Sequence, residues 1–347
     1  MEGQNQPTSA PPAPTQQVVV VQDNRHDHDH DHEGHDHSHE DGEQKELQLT
    51  DCVDFDKNLE ELYHVGTAGL KARVLNGLDG MLNLKELRVR SNLLYKMTGI
   101  ESLVNLQHLE LYDNQIKKMA GLDHLVNLRY PFPALLDLSF NEIRVIPDLS
   151  HLTQLQELYV ANNKLTHITG IQNLSTLKKL DLGANRIRVL EGLDHLTKLE
   201  QLWLGKNKIT QIQGLSTLTK LKIISVQSNR LTSIDGLDTN TALEEVYLSH
   251  NGIEAIGNIA HLASLVILDL GANRISHIPP MGSLVALEDL WLNDNQVASF
   301  DDLQQLTANT ALETFYLERN PIASDFEYRK RIHATLPFVK QIDATPI

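Results

Sequence analysis

The 347-residue chain has one cysteine, Cys52, no CxxC pair and no block of basic residues. A lone thiol cannot close an internal disulfide, and without cysteine pairs a structural zinc has no grip, so a reducing location, nuclear and cytoplasmic, is expected. Long apolar runs are also missing. The longest aliphatic stretch is Val18 to Val21, where a spanning helix needs roughly 20 residues, and no charged-then-apolar leader opens the chain, so a soluble protein with no membrane partner is expected. The 30 Lys and Arg face 46 Asp and Glu, a net charge of −16. Such a chain repels nucleic acid, whose capture rests on neutralising phosphates. The chain also lacks a phosphate-cradling glycine loop, GxSxG and HExxH, so no catalytic residue, no metal site, no cofactor and no enzymatic activity are expected.

What is present divides into two unlike parts. Residues 1–50 carry 11 acids against Arg25 and Lys45, which is −9 of the −16. They run through Pro, Gln and then His26-Asp27-His28-Asp29-His30-Asp31-His32 to His39, with too little apolar surface to offset the entropy of ordering. A disordered tail is expected over 1–50. Its seven histidines within 14 residues are able to gather a metal ion, since neutral imidazole is a good ligand, but a catalytic metal needs rigidly held ligands. A solvated, pH-sensitive tail is the plainer reading.

From about residue 80 the sequence repeats as L-x-x-L-x-L-x-x-N, with the asparagine at Asn92, Asn114, Asn141, Asn163, Asn185, Asn207, Asn229, Asn251, Asn273, Asn295 and Asn320. A period near 22 with this pattern is the signature of leucine-rich repeats. The expected fold is α/β: a right-handed leucine-rich-repeat solenoid of 22-residue repeats, with a parallel concave sheet and a C-terminal cap. Each repeat should supply a short strand, a turn, and a helical or 3₁₀ return. The domains expected are a degenerate N-terminal repeat over 51–82, with a strand at Leu62–Val65, the repeats over 83–320 and the cap over 321–347. The asparagines should form a ladder that satisfies buried backbone groups. Seven residues after each comes Gly99, Gly121, Asp148, Gly170, Gly192, Gly214, Gly236, Asn258, Pro280 or Asp302, where a positive-φ turn is expected. Pro280 cannot adopt one, so its repeat must turn differently. Five extra residues, Arg129 to Pro133, should bulge as a loop.

Period-2 alternation points the residue between two inward-facing ones of each repeat, as Tyr159 between Leu158 and Val160, outward onto the concave face. Read in order these are Arg88, Glu110, Asp137, Tyr159, Asp181, Trp203, Ser225, Tyr247, Asp269, Trp291 and Tyr316. Both tryptophans of the chain stand in this row. Tyr159, Trp203, Tyr247 and Trp291 fall on alternate repeats with short polar residues between them, about 10 Å apart at 4.8 Å per strand, so they should face solvent without forming a continuous stack. Such a row suits a protein interface, with aromatic anchors and carboxylates that meet a partner's Lys or Arg. Glu86, Glu157, Glu245, Asp289, Asp294 and Glu318 flank it. His151, His195 and His261 recur at equivalent places in the returns and read as partly buried structural residues.

The repeat words Leu111-Tyr112-Asp113-Asn114-Gln115-Ile116, Tyr247-Leu248-Ser249-His250-Asn251-Gly252-Ile253-Glu254 and Tyr316-Leu317-Glu318-Arg319-Asn320-Pro321 resemble the regulatory subunit 7 family, the leucine-rich-repeat regulatory subunits of protein phosphatase 1. The end, from Tyr328-Arg329 to Gln341-Ile342-Asp343-Ala344-Thr345, resembles that family's cap. The resemblance implies a non-catalytic partner that embraces the phosphatase catalytic subunit with its concave face. It also implies a ternary complex with a small phosphatase inhibitor and a role in the cell cycle. The implied contacts are Asp137, Tyr159, Asp181, Trp203, Asp269, Asp289, Trp291 and Tyr316. The family tends to have Phe where Tyr159 and Trp203 stand, and Glu at Asp181 and Asp289. Val53-Asp54-Phe55 lacks the basic residue of the short phosphatase-docking motif. The alternative is a leucine-rich-repeat scaffold for a ribonucleoprotein or cytoskeletal complex.

Overall fold

The computed structural model describes residues 46–125, 128 and 134–347. Nearly all of the tail and the insertion at 129–133 lie outside the described residues. Twelve parallel strands follow one another. β1 (Glu61–Val65) and β2 (Glu86–Arg90) have five residues. Ten of three residues follow: β3 (His108–Glu110), β4 (Leu135–Asp137), β5 (Glu157–Tyr159), β6 (Lys179–Asp181), β7 (Gln201–Trp203), β8 (Ile223–Ser225), β9 (Glu245–Tyr247), β10 (Ile267–Asp269), β11 (Asp289–Trp291) and β12 (Thr314–Tyr316). Each pairs with its neighbours in sequence, so the sheet order is the chain order. This is a parallel-sheet solenoid, and one hydrophobic core runs its whole length: Leu136, Leu158, Leu180 and Leu202, the middle strand residues, are fully buried. Glu110 pairs with Asp137 in register across the 27-residue interval, so β4 keeps its place despite the insertion.

The asparagine ladder is present in full. Asn185 accepts the N–H of Leu165 at 2.9 Å and donates to the carbonyls of Val160, Leu182 and Gly183 at 2.9, 3.0 and 3.1 Å. The same set recurs from Asn114 to Asn320. Each amide thus ties two turns together and satisfies polar groups that the core would otherwise strand.

The turns differ from expectation at Asp148 and Asp302, while Pro280 avoids positive φ as expected. The six glycines and Asn258 have positive φ; at Gly170 a Cβ would stand 1.9 Å from the carbonyl oxygen of Pro147. Asp148, Pro280 and Asp302 do not adopt positive φ. Asp302 sits inside the 3₁₀ helix Phe300–Leu306, which takes up the three extra residues of its repeat. At Asp148 and Pro280 the following N–H turns to the next coil instead, Leu149 to the carbonyl of Gly170 and Met281 to that of Gln305. The residue before every ladder asparagine, from Ser91 to Arg319, also has positive φ, between 50° and 57°. No glycine marks it.

Among the described residues only one return winds into a regular helix. The others use single 3₁₀-type bonds, such as Leu152 to Leu149 and Leu155 to Leu152, because their buried leucines recur every third residue. At the N-terminal end helix α1 (Leu49–Cys52) caps the core, with Leu49 buried and Val53 and Phe55 packed on it. Val53-Asp54-Phe55 is therefore part of the cap. At the other end helix α2 (Tyr328–Thr335), β13 (Gln341–Ile342) and β14 (Thr345–Pro346) close the sheet. Asp343 accepts the N–H groups of Leu317 and Glu318 at 2.8 and 2.9 Å. These donors have no further strand to meet.

Candidate protein-binding face

Strand register brings the outward residues into one column. Tyr63 of β1 starts it, pairing with Arg88, and the column runs through Glu110, Asp137, Tyr159, Asp181, Trp203, Ser225, Tyr247, Asp269 and Trp291 to Tyr316. All eight site residues read from the sequence therefore lie on one face, seven in the column and Asp289 two residues before Trp291. Tyr63 was missed because its repeat lacks the asparagine.

The polar tips of the aromatics are largely met by their own strands. Tyr159 donates to Glu157 at 2.6 Å, Tyr247 to Glu245 at 2.8 Å, Tyr63 to Glu61 at 3.0 Å, and the Trp203 indole N–H to Gln201 at 3.4 Å. Residues i and i−2 share a face of a strand, so this Glu-x-Tyr pattern lays each ring along the sheet. Burial and the Glu157 carboxylate push the Tyr159 hydroxyl well above the ordinary phenol range, and Tyr247 is raised by burial and Glu245. Both stay neutral donors. Trp291 breaks the pattern: its indole N–H is buried and has no partner among the described residues. Asp289, one methylene shorter than Glu, stands where the acceptor would be. Tyr316 accepts from Gln341 at 3.0 Å.

Trp203 and Trp291 are half-buried rather than solvent facing. The small Ser225 between them lets Trp203 and Tyr247 stack with ring centroids 6.3 Å apart and planes 22° apart. Trp291 meets Tyr316 edge-on at 5.9 Å. Trp203 and Tyr247 thus reach over the intervening strand, whose spacing is expected to isolate them, while Trp291 and Tyr316 stand on adjacent strands.

The three aspartates in the column share one structural task. Asp137, Asp181 and Asp269 each accept the N–H two residues on, from Ser139, Gly183 and Gly271 at 2.8, 2.9 and 3.0 Å. Burial raises the carboxyls of Asp137 and Asp181 above their ordinary value, against the pull of those N–H groups. They differ in what remains. Asp181 makes no other side-chain hydrogen bond among the described residues, whereas Asp269 is 3% exposed and its second oxygen is taken by Gln227 at 2.8 Å and Ser249 at 2.6 Å. Asp269 forms the floor of a hollow of about 450 Å³ walled by Trp291, Lys206 and His250.

The end of the face at β1–β3 is neutralised internally. Tyr63 and Arg88 both reach Glu86, at 2.7 and 2.8 Å, and Arg90 holds Glu110 at 2.8 Å. Glu86, expected as a flanking surface acid, is buried in this network. Burial alone would raise the Glu110 carboxyl, but His108 and Arg90 outweigh it and hold it below the usual range. From β4 onward the acids outnumber their cations: among the described residues none of Asp137, Glu157, Asp181, Glu245 and Asp289 makes an ion pair, and Lys179 lies over the Tyr159 ring at 5.2 Å. Of the return-segment histidines, His151 and His261 are partly buried and bond the carbonyls of Leu122 and Leu237 at 3.0 Å, while His195 is exposed, contrary to expectation. Among the described residues no cluster of His, Cys, Asp and Glu is gathered to hold a metal ion, and no helix is long and apolar enough to cross a membrane.

Residues 175–217 match the family model of leucine-rich repeats in two copies, and 238–347 match a second leucine-rich-repeat model. A leucine-rich-repeat protein of Leptospira interrogans superposes with a TM-score of 0.74 at 29% identity, over 82% of this chain and 72% of that one. The fold is that of the leucine-rich-repeat proteins. An internalin from Listeria monocytogenes shares the repeat architecture, with a TM-score of 0.67 at 25% identity over 84% of this chain and 88% of its own. The leucine-rich-repeat chain is also 51% identical over 47 residues to protein phosphatase 1 regulatory subunit 7 of Homo sapiens. That match spans 14% of this chain and 13% of the human protein.

Proposed function

We propose that this leucine-rich-repeat protein is a non-catalytic regulatory subunit that binds the protein phosphatase 1 catalytic subunit through the β4–β12 part of its concave face. The observation that carries the reading is the column itself. Its aromatic anchors share the face with carboxylates that outnumber nearby cations, on a chain with a local match to a phosphatase regulatory subunit. Half-buried rings held by their neighbours lose little freedom on binding, which favours them as anchors. Tyr159, Trp203, Trp291 and Tyr316 would enter the partner's surface, and Asp137, Asp181 and Asp289 would meet its Lys and Arg side chains. Asp269, being buried, would hold Gln227 and Ser249 in place beneath the contact. A small phosphatase inhibitor joins as a third member, and the complex works in the nucleus and cytoplasm during the cell cycle.

The test is a set of single alanine replacements in the full chain, at Tyr159, Trp203, Trp291 and Tyr316, each assayed for capture of the catalytic subunit. Phe326, 97% exposed on the cap, serves as a control. Losses at two or more column positions with none at Phe326 support the reading. Capture indifferent to the whole column refutes it and favours a scaffold for another complex.

A further inference from the structure

The solenoid creates a feature that the linear sequence hides. Counting from each ladder asparagine, the first and third residues after it point outward while the second is buried, as with Ile116, Ile187 and Ile209. Six consecutive turns carry a cation at one of these places: Lys117, Arg144, Lys164, Arg186, Lys208 and Arg230. Adjacent turns are hydrogen-bonded here, from Lys164 N–H to the Ile143 carbonyl, Arg186 to Leu165, Lys208 to Ile187 and Arg230 to Ile209, each at 2.8 Å. The cations therefore form a ladder with about 4.8 Å per turn, roughly 24 Å in all. Of the six, only Lys164 has an ion-pair partner among the described residues, Glu142 at 2.9 Å. Five cations without an ion-pair partner among the described residues, on a chain of net charge −16, make a stripe complementary to an extended acidic segment.

The chain supplies one. Residues 26–44 hold eight acids, Asp27 to Glu43, with no Lys or Arg among them. The direction of the described chain joins the two. The Arg73 N–H donates to the Leu47 carbonyl at 2.8 Å, and Glu46 accepts from the Tyr95 hydroxyl at 3.2 Å. Tyr95 is the third residue after Asn92, the place that Lys117 and Arg144 fill on the next two turns. Glu46, where this stretch of the described chain begins, thus lies beside the start of the ladder. At about 3.3 Å per extended residue, some nine residues span from Tyr95 to Arg230, well within the acidic segment. We infer that residues 27–43 dock along this cationic ladder, so that the chain's own acidic segment occupies a flank that is separate from the concave column.

Carbodiimide cross-linking of the full chain at low salt, followed by peptide mass spectrometry, tests this. Such reagents join a carboxylate to an amine only in direct contact. Links from Asp or Glu within 27–43 to Lys117, Lys164 and Lys208 in the monomer are expected, fading at least tenfold at 0.5 M salt as screening shortens the reach of the charges. The triple variant Arg186→Glu, Arg230→Glu, Lys208→Glu should lose the Lys117 and Lys164 links at least fivefold. Two folded-state pairs, Lys85 with Glu60 and Lys222 with Glu244, at 2.7 and 2.9 Å, report that the chain and the chemistry are sound. Those control links without tail-to-ladder links overturn the proposal, as do tail links confined to a cross-linked dimer. A single-stranded oligonucleotide that binds the ladder without displacing tail links also overturns it, since one surface cannot hold both.

Discussion

Replacing Asn185 with Ala removes one rung of the ladder and nothing else. Its side-chain oxygen is the partner of the Leu165 N–H, which is fully buried and would be left unpaired. The carbonyls of Val160 and Leu182 keep their bonds from Asn163 and Asn207, at 3.2 and 2.9 Å, so they are weakened but not orphaned. One stranded donor costs about 1–3 kcal/mol, and the shared amide bonds and lost packing bring the expected destabilisation to about 2–4 kcal/mol. Asn105 is the natural control. It is exposed and donates a single surface bond, to the Leu82 carbonyl at 2.8 Å, so its alanine variant should shift stability by less than about 0.5 kcal/mol. Urea unfolding of the two variants beside wild type, followed by far-ultraviolet circular dichroism, measures both. Equal midpoints for Asn185→Ala and Asn105→Ala would refute the reasoning that the asparagines hold the turns together.

Three further outcomes are expected. Ala184 has φ of 50°, so Ala184→Gly should stabilise by about 1 kcal/mol by relieving left-handed strain; unfolding that is unchanged or easier counts against strain at that row. Asp289→Glu places an acceptor where Glu157 and Glu245 serve their tyrosines, and should pair the buried Trp291 N–H with a gain of about 0.5–1.5 kcal/mol; an unchanged Trp291 indole proton shift would contradict this. His64 is 5% exposed in the N-terminal core, and burial lowers its pKa below the ordinary 6.5, against a hydrogen bond with Asn92. Because the folded value is depressed, the stability His64 contributes is present above pH 6.5 and is lost as the pH falls below it. The urea midpoint should decline over that window less steeply for His64→Leu than for wild type, and parallel slopes would disprove it.

The parts of the fold that a single repeat specifies could be read without coordinates. The strand, the buried leucines and the asparagine each depend on residue type at a fixed offset, and all sit where the period puts them. What depends on stacking could not be read. Ser91, Phe140, Ala184 and Lys206 have no common chemistry, yet all take positive φ because the ladder asparagine that follows must point inward. Asp181 and Asp269 occupy equivalent places, but only Asp269 has Gln227 and Ser249 on the two preceding turns to cover it. The contact of Trp203 with Tyr247 depends on the small residue between them. Lys164, Arg186, Lys208 and Arg230 never fall closer than 22 residues in the sequence, so the cationic stripe exists only once the turns are stacked.

The central claim is that the concave aromatic and acidic column receives a phosphatase catalytic subunit. Calorimetric titration of the full chain with the protein phosphatase 1 catalytic subunit, beside the double variant Trp203→Ala, Trp291→Ala, tests it most directly. Losing an anchor costs about 2–4 kcal/mol, so a one-to-one complex weakened by at least 100-fold in the double variant is predicted. Loss of the Trp203–Tyr247 and Trp291–Tyr316 contacts should cost the fold only about 1–3 kcal/mol, which circular dichroism of the same samples would register separately. A folded wild-type chain that gives no heat of binding, or a folded double variant that binds as tightly as wild type, would contradict the account.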